Sequence, residues 1–148
     1  MASDDLLAYA GMFWSALLAA TILPGASEIV LIGFLVSDTG NPWAMLIVAT
    51  AGNTIGSVVN WACGRFLIRY RDRWWFPVGG PALDRWSGLF KRYGLPSLLL
   101  AWAPIIGDVL TVAAGILRAP IGKFTLFVAI GKFARYLFIA VGTFAFTN

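Results

Sequence analysis

Apolar positions in this chain fall into two broken runs and two unbroken ones, in alternation. The first run occupies residues 6–36 and is interrupted by Pro24-Gly25-Ala26-Ser27-Glu28. Proline removes a backbone donor and glycine accepts any backbone angle, so a helix is expected to break there. The arm after the break, residues 29–36, would rise only about 12 Å as a helix, against a hydrocarbon core of about 30 Å. A short arm beyond a Pro-Gly corner predicts a re-entrant hairpin, which bends at membrane depth under cover of protein or water. A polar turn, Ser37-Asp38-Thr39-Gly40-Asn41-Pro42, leads to residues 43–64, long and apolar enough to span. Residues 95–117 repeat the broken pattern as Pro104-Ile105-Ile106-Gly107-Asp108, and residues 124–146 form a second spanning run. Leu17-Leu18-Ala19-Ala20 precedes the first break and Leu98-Leu99-Leu100-Ala101 precedes the second. The pattern predicts an all-α integral membrane domain over residues 1–148, built as two repeats of hairpin plus helix. Pro24, Gly25, Pro104 and Gly107 are the expected breaks.

Charge decides how the runs thread the bilayer. Residues 65–93 hold Arg65, Arg69, Arg71, Arg73, Arg85, Lys91 and Arg92 against Asp72 and Asp84, together with Trp74, Trp75 and Trp86. If each broken run turns back, this loop lies on the same side as Arg118 and Lys123, and the other side receives Asp4, Asp5 and Asp38. If each broken run crosses, the basic residues divide between the two sides. The positive-inside rule prefers hairpins, with both termini outside, the basic loop in the cytoplasm and the halves inverted. Within the loop, Leu83, Trp86, Leu89, Phe90 and Tyr93 share a helical face ahead of Gly94, which predicts an amphipathic helix on the bilayer surface. Basic and aromatic residues together also suit nucleic acid. Beside spanning helices the interfacial reading is preferred, and no nucleic-acid partner is expected.

Composition narrows the chemistry. The 148 residues are 59% hydrophobic and 12% charged, where a soluble domain carries about 25% charged residues. A net charge of +4 sits in loops. The single cysteine excludes an intrachain disulfide, and the lack of histidine argues against a metal site. No cofactor is expected. Ser27 and Ser97 have no histidine to activate them and no phosphate-binding glycine loop is present, so the chain does not read as an enzyme. The acidic start, Met1-Ala2-Ser3-Asp4-Asp5, lacks the basic region of a signal peptide, so the first apolar segment is expected to remain in the mature protein.

The remaining candidates are polar groups inside apolar runs. Glu28, Asp108, Lys132 and Arg135 form a balanced set of two acids and two bases. Lys132 lies about 13 Å beyond Lys123, near mid-bilayer, and a lone charge there costs at least about 2.5–3.5 kcal/mol. Pairing between the acids and Lys132 and Arg135 at the hairpin tips is therefore expected. Two readings stand. Asp108 and Ser27 are suited to cap the short helices, with Glu28 at a positive helix end, which makes the pairs structural clips. Alternatively, two half-helix N-termini plus two cations make an anion site, and the acids carry protons. On residues 43–64, Gly52, Asn53, Gly56, Asn60 and Gly64 share a stripe, either a close-packing surface or a polar wall.

These residues carry a resemblance. Leu23-Pro24-Gly25-Ala26-Ser27-Glu28, Gly52-Asn53-Thr54-Ile55-Gly56, Asn60, Gly64-Arg65, Lys91-Arg92-Tyr93-Gly94, Trp102-Ala103-Pro104-Ile105-Ile106-Gly107-Asp108, Ala114-Gly115, Gly131-Lys132 and Arg135-Tyr136 resemble the short YqaA-like branch of the DedA family, within the VTT-domain superfamily. The family's Arg-Phe-x-Pro-x-x-Arg pattern is not kept: Ala101 and Gly107 stand at the two arginine positions. The resemblance implies a bacterial inner-membrane protein with opposed re-entrant hairpins and a lipid flippase or scramblase activity. The expected partners are membrane lipids, an anionic lipid or lipid-linked phosphate as substrate, and protons. Lys132 and Arg135 would hold the headgroup, Glu28 and Asp108 would gate it or take a proton, and Asn53 and Asn60 would line the path. A proton-coupled carrier of a small solute and a non-transporting assembly or stress protein are the alternatives. Glycine-rich faces would permit a homodimer.

Overall fold

The computed structural model describes residues 2–21, 25–70, 72–75, 80–103 and 106–148, so the breaks expected at Pro24 and Pro104 lie outside the described residues. The described residues form helices α1 (Ala2–Thr21), α2 (Ala26–Val36), α3 (Pro42–Phe66), α4 (Gly80–Tyr93), α5 (Ile106–Ile116) and α6 (Ile121–Thr147). A 3₁₀ turn, Ile68–Tyr70, follows α3, and a 3₁₀ segment, Leu95–Trp102, precedes α5. No strand occurs among them. The helices α3 and α6 are long and apolar enough to cross a membrane.

Several termini have a local cause. Asn41 caps α3, its Oδ1 accepting from Trp43 N at 2.9 Å and Ala44 N at 3.2 Å, with Pro42 in the first turn where no donor is needed. The short helices α2 and α5 end in the same way. Thr39 N reaches Phe34 O at 3.0 Å beyond α2, and Ala119 N reaches Ala114 O at 2.9 Å beyond α5. These are Schellman closures, and the left-handed residue inside each is not glycine: Asp38 has φ 53° and Arg118 has φ 60°. Pro42 and Pro120 then lead into α3 and α6.

Small residues set the packing. Gly52 of α3 lies against Phe13 and Ala16 of α1, and Gly56 lies against Leu17 and Ala20. Asn60 Nδ2 donates to Ala20 O at 2.8 Å. Numbers rise together on both helices, so α1 and α3 run in parallel. The intervening α2 returns the chain to the end of the bundle where α3 begins. Further along, Gly64 meets Val112 O and Gly115 meets Trp61 O, which brings the backbones of α3 and α5 together. On α6, Gly131 lies against Leu99 O of the 3₁₀ segment. The small stripe of α3 is thus a packing surface. Each long helix packs on the element that opens its own half and on the short helix of the other half: α3 on α1 and α5, α6 on the 3₁₀ segment and α2.

Three expectations change. Helix α1 begins at Ala2 rather than residue 6, because Asp4 and Asp5 suit a helix N-terminus, and it runs along most of α3. The first arm of the second broken run is 3₁₀, not α. The apolar face of α4 is covered in part by protein: Leu83 is buried with Val109, Val112 and Ala113 of α5, and Phe90 with Leu98 and Ala101. Tyr93, assigned to that face, is exposed. Burial against the protein satisfies the amphipathic pattern as well as a membrane surface does.

Candidate functional site

Near the middle of α6, Lys132, Arg135 and Tyr136 sit at i, i+3 and i+4, on one face. The first turns of α2 and α5 supply Glu28 and Asp108. Backbone donors in a first helical turn have no intrahelical partner, so both carboxylates stand at a positive helix end.

The structure brings the four charges together in two pairs on α6. Arg135 Nη2 contacts Glu28 Oε1, and both side chains are largely buried. Lys132 Nζ stands 3.6 Å from Asp108 Oδ1, beyond ordinary hydrogen-bond length, with Lys132 2% exposed and Asp108 22%. Asp108 and Lys132 also lie within electrostatic reach of Glu28 and Arg135, so the pairs act as one cluster.

A neutral knot adjoins the charges. Tyr136 is fully buried, its Oη 2.8 Å from Ser27 Oγ and accepting from Asn53 Nδ2 at 2.6 Å. One phenol therefore joins α2, α3 and α6. Ser27 and Tyr136 adjoin Glu28 and Arg135 in sequence, so the hydrogen bond and the ion pair are neighbouring cross-links between the same two helices. The expected capping roles do not hold. Ser27 makes no side-chain cap, and Gly25, with φ 88°, begins α2 instead. Asp108 is the third residue of α5 rather than its cap.

Asn60 stands apart from this cluster, seven residues or about 10 Å further along α3 than Asn53. It satisfies the Ala20 carbonyl in the last turn of α1, which lacks an intrahelical partner. Asn53 Oδ1, Thr54 Oγ1 and Asn60 Oδ1 are buried without a hydrogen-bond partner among the described residues. Gly107 is required sterically, because a Cβ there would stand 2.5 Å from Ala101 O. No cluster able to hold a metal ion occurs among the described residues.

Ser27 as the partner of Tyr136 is what pattern reading misses. The available signal was Tyr136 one turn beyond Lys132. Tyr136→Phe leaves Ser27 without its hydroxyl partner and Asn53 without an acceptor in the buried interior, at an expected cost of about 1–3 kcal/mol. A lowered melting temperature of the variant in detergent, at unchanged helix content, checks this.

Comparison with known proteins agrees with the sequence resemblance. The family model described as VTT domain matches residues 23–144. The inner membrane protein YqaA of Escherichia coli K12 is 38% identical over 141 residues, covering 95% of this chain and 94% of the relative, and YqaA of Shigella flexneri gives the same figures. An uncharacterized protein of Haemophilus influenzae is 36% identical over 138 residues, covering 85% and 81%. No solved structure matches significantly.

Proposed function

The chain belongs to the VTT-domain (DedA) family, and from that membership and the buried charge cluster we propose that it is a bacterial inner-membrane transporter that moves an anionic lipid or lipid-linked phosphate across the bilayer. The observation that carries the reading is the convergence of two acids on two cations at the middle of a spanning helix. Structural clips alone would not need both cations on one face of one helix, each opposite the N-terminus of a different short helix. Charges at this depth mark substrate or ion pathways in membrane proteins.

In this reading residues 6–36 and 95–117 are re-entrant hairpins, each followed by a spanning helix at 43–64 or 124–146. The termini lie outside and the basic loop at 65–93 is cytoplasmic. The matching closures at Asp38 and Arg118, and the reciprocal packing of each long helix on the other half, support inverted repeats. The opposite charges at those two corners suit opposite faces of the membrane. The proposed route runs through the cluster. Arg135 and Lys132 take the anionic head, and the carboxylates of Glu28 and Asp108 give up their cations and take up one proton for each negative charge the head brings, leaving no bare charge in the apolar phase. The unpartnered oxygen of Asn53, beside Tyr136 and the cluster, offers a first polar step, and that of Asn60, about 10 Å further along α3, a second.

The test is translocation of fluorescent phosphatidylglycerol by the full chain in vesicles, with and without a proton gradient. Lys132→Gln with Arg135→Gln is expected to slow it at least about tenfold, equivalent to about 1.4 kcal/mol. An unchanged rate in that variant overturns the proposal.

A further inference from the structure

The outer side of α4 carries a notch of about 350 Å³, within the usual range for small-ligand sites. Arg85, Gly88 and Arg92 line one side of it, at i, i+3 and i+7. Trp86, Leu89 and Tyr93 line the other, at the same spacing one position later. Two neighbouring helical stripes result, one cationic with a gap at its middle and one apolar. The gap is Gly88, where nothing stands within 4 Å of the place a Cβ would take. The two guanidiniums flank it in matching poses. Arg85 Cζ stands 5.4 Å from the centroid of the Trp86 ring, and Arg92 Cζ stands 5.4 Å from that of Tyr93. Each ring holds the cation beside it.

Both arginines are exposed, so their donors are presented to whatever enters the notch. No carboxylate lines it among the described residues. The helix dipole accounts for Arg92, which lies in the last turn of α4, but offers Arg85 nothing. The position of α4 narrows the occupant further. Trp86 and Leu89 pack against the cluster that holds Ala119 and Phe124, where α6 begins. Trp86 also packs with Cys63 and Leu67, where α3 ends. The notch thus stands level with the ends of both helices long enough to cross a membrane, which is the height of lipid headgroups in the two-span reading.

We propose that this notch seats the head of an anionic phospholipid from the adjoining leaflet, its phosphate between Arg85 and Arg92 and its glycerol against Trp86, Leu89 and Tyr93. Phosphate accepts paired N–H bonds from guanidinium, and two such cations flank one seat. A phosphatidylcholine head brings a quaternary ammonium to the same two cations and is disfavoured. A water-soluble phosphate gains nothing from the apolar stripe. The site rests on the two spans of the reading above but not on the buried charge cluster: it holds a resident lipid at the bilayer edge rather than one in transit.

The test is native mass spectrometry of the full chain in detergent, supplied with equal amounts of phosphatidylglycerol and phosphatidylcholine. Wild type is expected to retain phosphatidylglycerol in preference by about tenfold, the order expected of hydrogen bonds to a charged group. Arg85→Gln with Arg92→Gln is expected to erase the preference. Gly88→Leu keeps both charges and fills the notch from the exposed side, and it is expected to erase the preference as well. Arg69→Gln with Arg73→Gln removes the same charge outside the notch, including a similar couple in which Arg69 stands 4.8 Å from the Tyr70 ring centroid. That variant is expected to keep the preference, and glycerol phosphate in excess is expected not to compete. No preference in wild type, or one that survives Gly88→Leu, overturns the site. Equal loss in the Arg69/Arg73 variant also overturns it, by showing diffuse attraction to a basic loop, and competition by glycerol phosphate overturns the assignment to lipid. A preference lost in Lys132→Gln with Arg135→Gln but kept in the Arg85/Arg92 variant places the head at the buried cluster instead, which overturns the notch while favouring the transport reading, so the two fail separately.

Discussion

Glu28→Gln is expected to destabilise the protein by about 3–5 kcal/mol, the cost of leaving one member of a buried ion pair without its partner. The substitution preserves shape, so the loss is electrostatic: Arg135 stays largely buried at the middle of α6 with its counter-charge removed. Asp108→Asn is expected to act in the same direction and less strongly, because the Lys132–Asp108 contact is longer and Asp108 is more open. The diagnostic variant is the double change Glu28→Leu with Arg135→Leu. Removing both charges removes the desolvation cost along with the attraction, so the double variant is expected to be more stable than Glu28→Gln alone. Melting in detergent, run as a double-mutant cycle, reads the coupling directly. A double variant less stable than both single ones would show that the pair contributes more than mutual compensation. In the transport reading the double variant also folds and does not translocate, which separates stability from function.

Gly115→Leu is expected to abolish folding. A side chain at this position would stand inside the space of Trp61 O on α3, and the facing Gly64 would meet Val112 O if substituted in turn. Neither obstacle is a flexible side chain that can move aside. The helices must separate, which strips Val109, Val112 and Ala113 of their neighbours and releases Leu83 of α4 from the same cluster. The Trp61 Nε1 bond to Ala119 O, at 3.1 Å, breaks with them. The measurable outcome is loss of monodisperse protein on purification. Gly142→Ala supplies the control: nothing lies within 4 Å of a Cβ there, and alanine favours a helix interior by about 0.5–1 kcal/mol. That variant is expected to melt slightly higher than wild type.

These two cases show which parts of the molecule are readable in advance. The spanning runs expected at 43–64 and 124–146 appear as Pro42–Phe66 and Ile121–Thr147, because a long apolar stretch between turn residues has few alternatives. The meeting of Glu28 and Asp108 with Arg135 and Lys132 was legible for a similar reason: charges at that depth must find partners, and the sequence offers few. The partner of an amphipathic face was not legible. Periodicity places Leu83 and Phe90 on one side of α4 but does not say whether lipid or α5 covers them. Polar contacts over long separations were equally hidden. Ser27 next to a helix start reads as a cap, and only folding brings Tyr136, 109 residues away, close enough to claim its hydroxyl. Asn60 was grouped with Asn53 by spacing, yet it serves the carbonyl of Ala20.

The placement of both cations on α6 bears on how the protein is made. A segment entering the bilayer with Lys132 and Arg135 near its centre meets a penalty of about 2.5–3.5 kcal/mol for each. The residues that relieve it, Glu28 and Asp108, both lie upstream and leave the ribosome first. In the transport reading, α6 therefore settles into a membrane that already holds its counter-ions, and the order of synthesis matches the order in which the charges need one another.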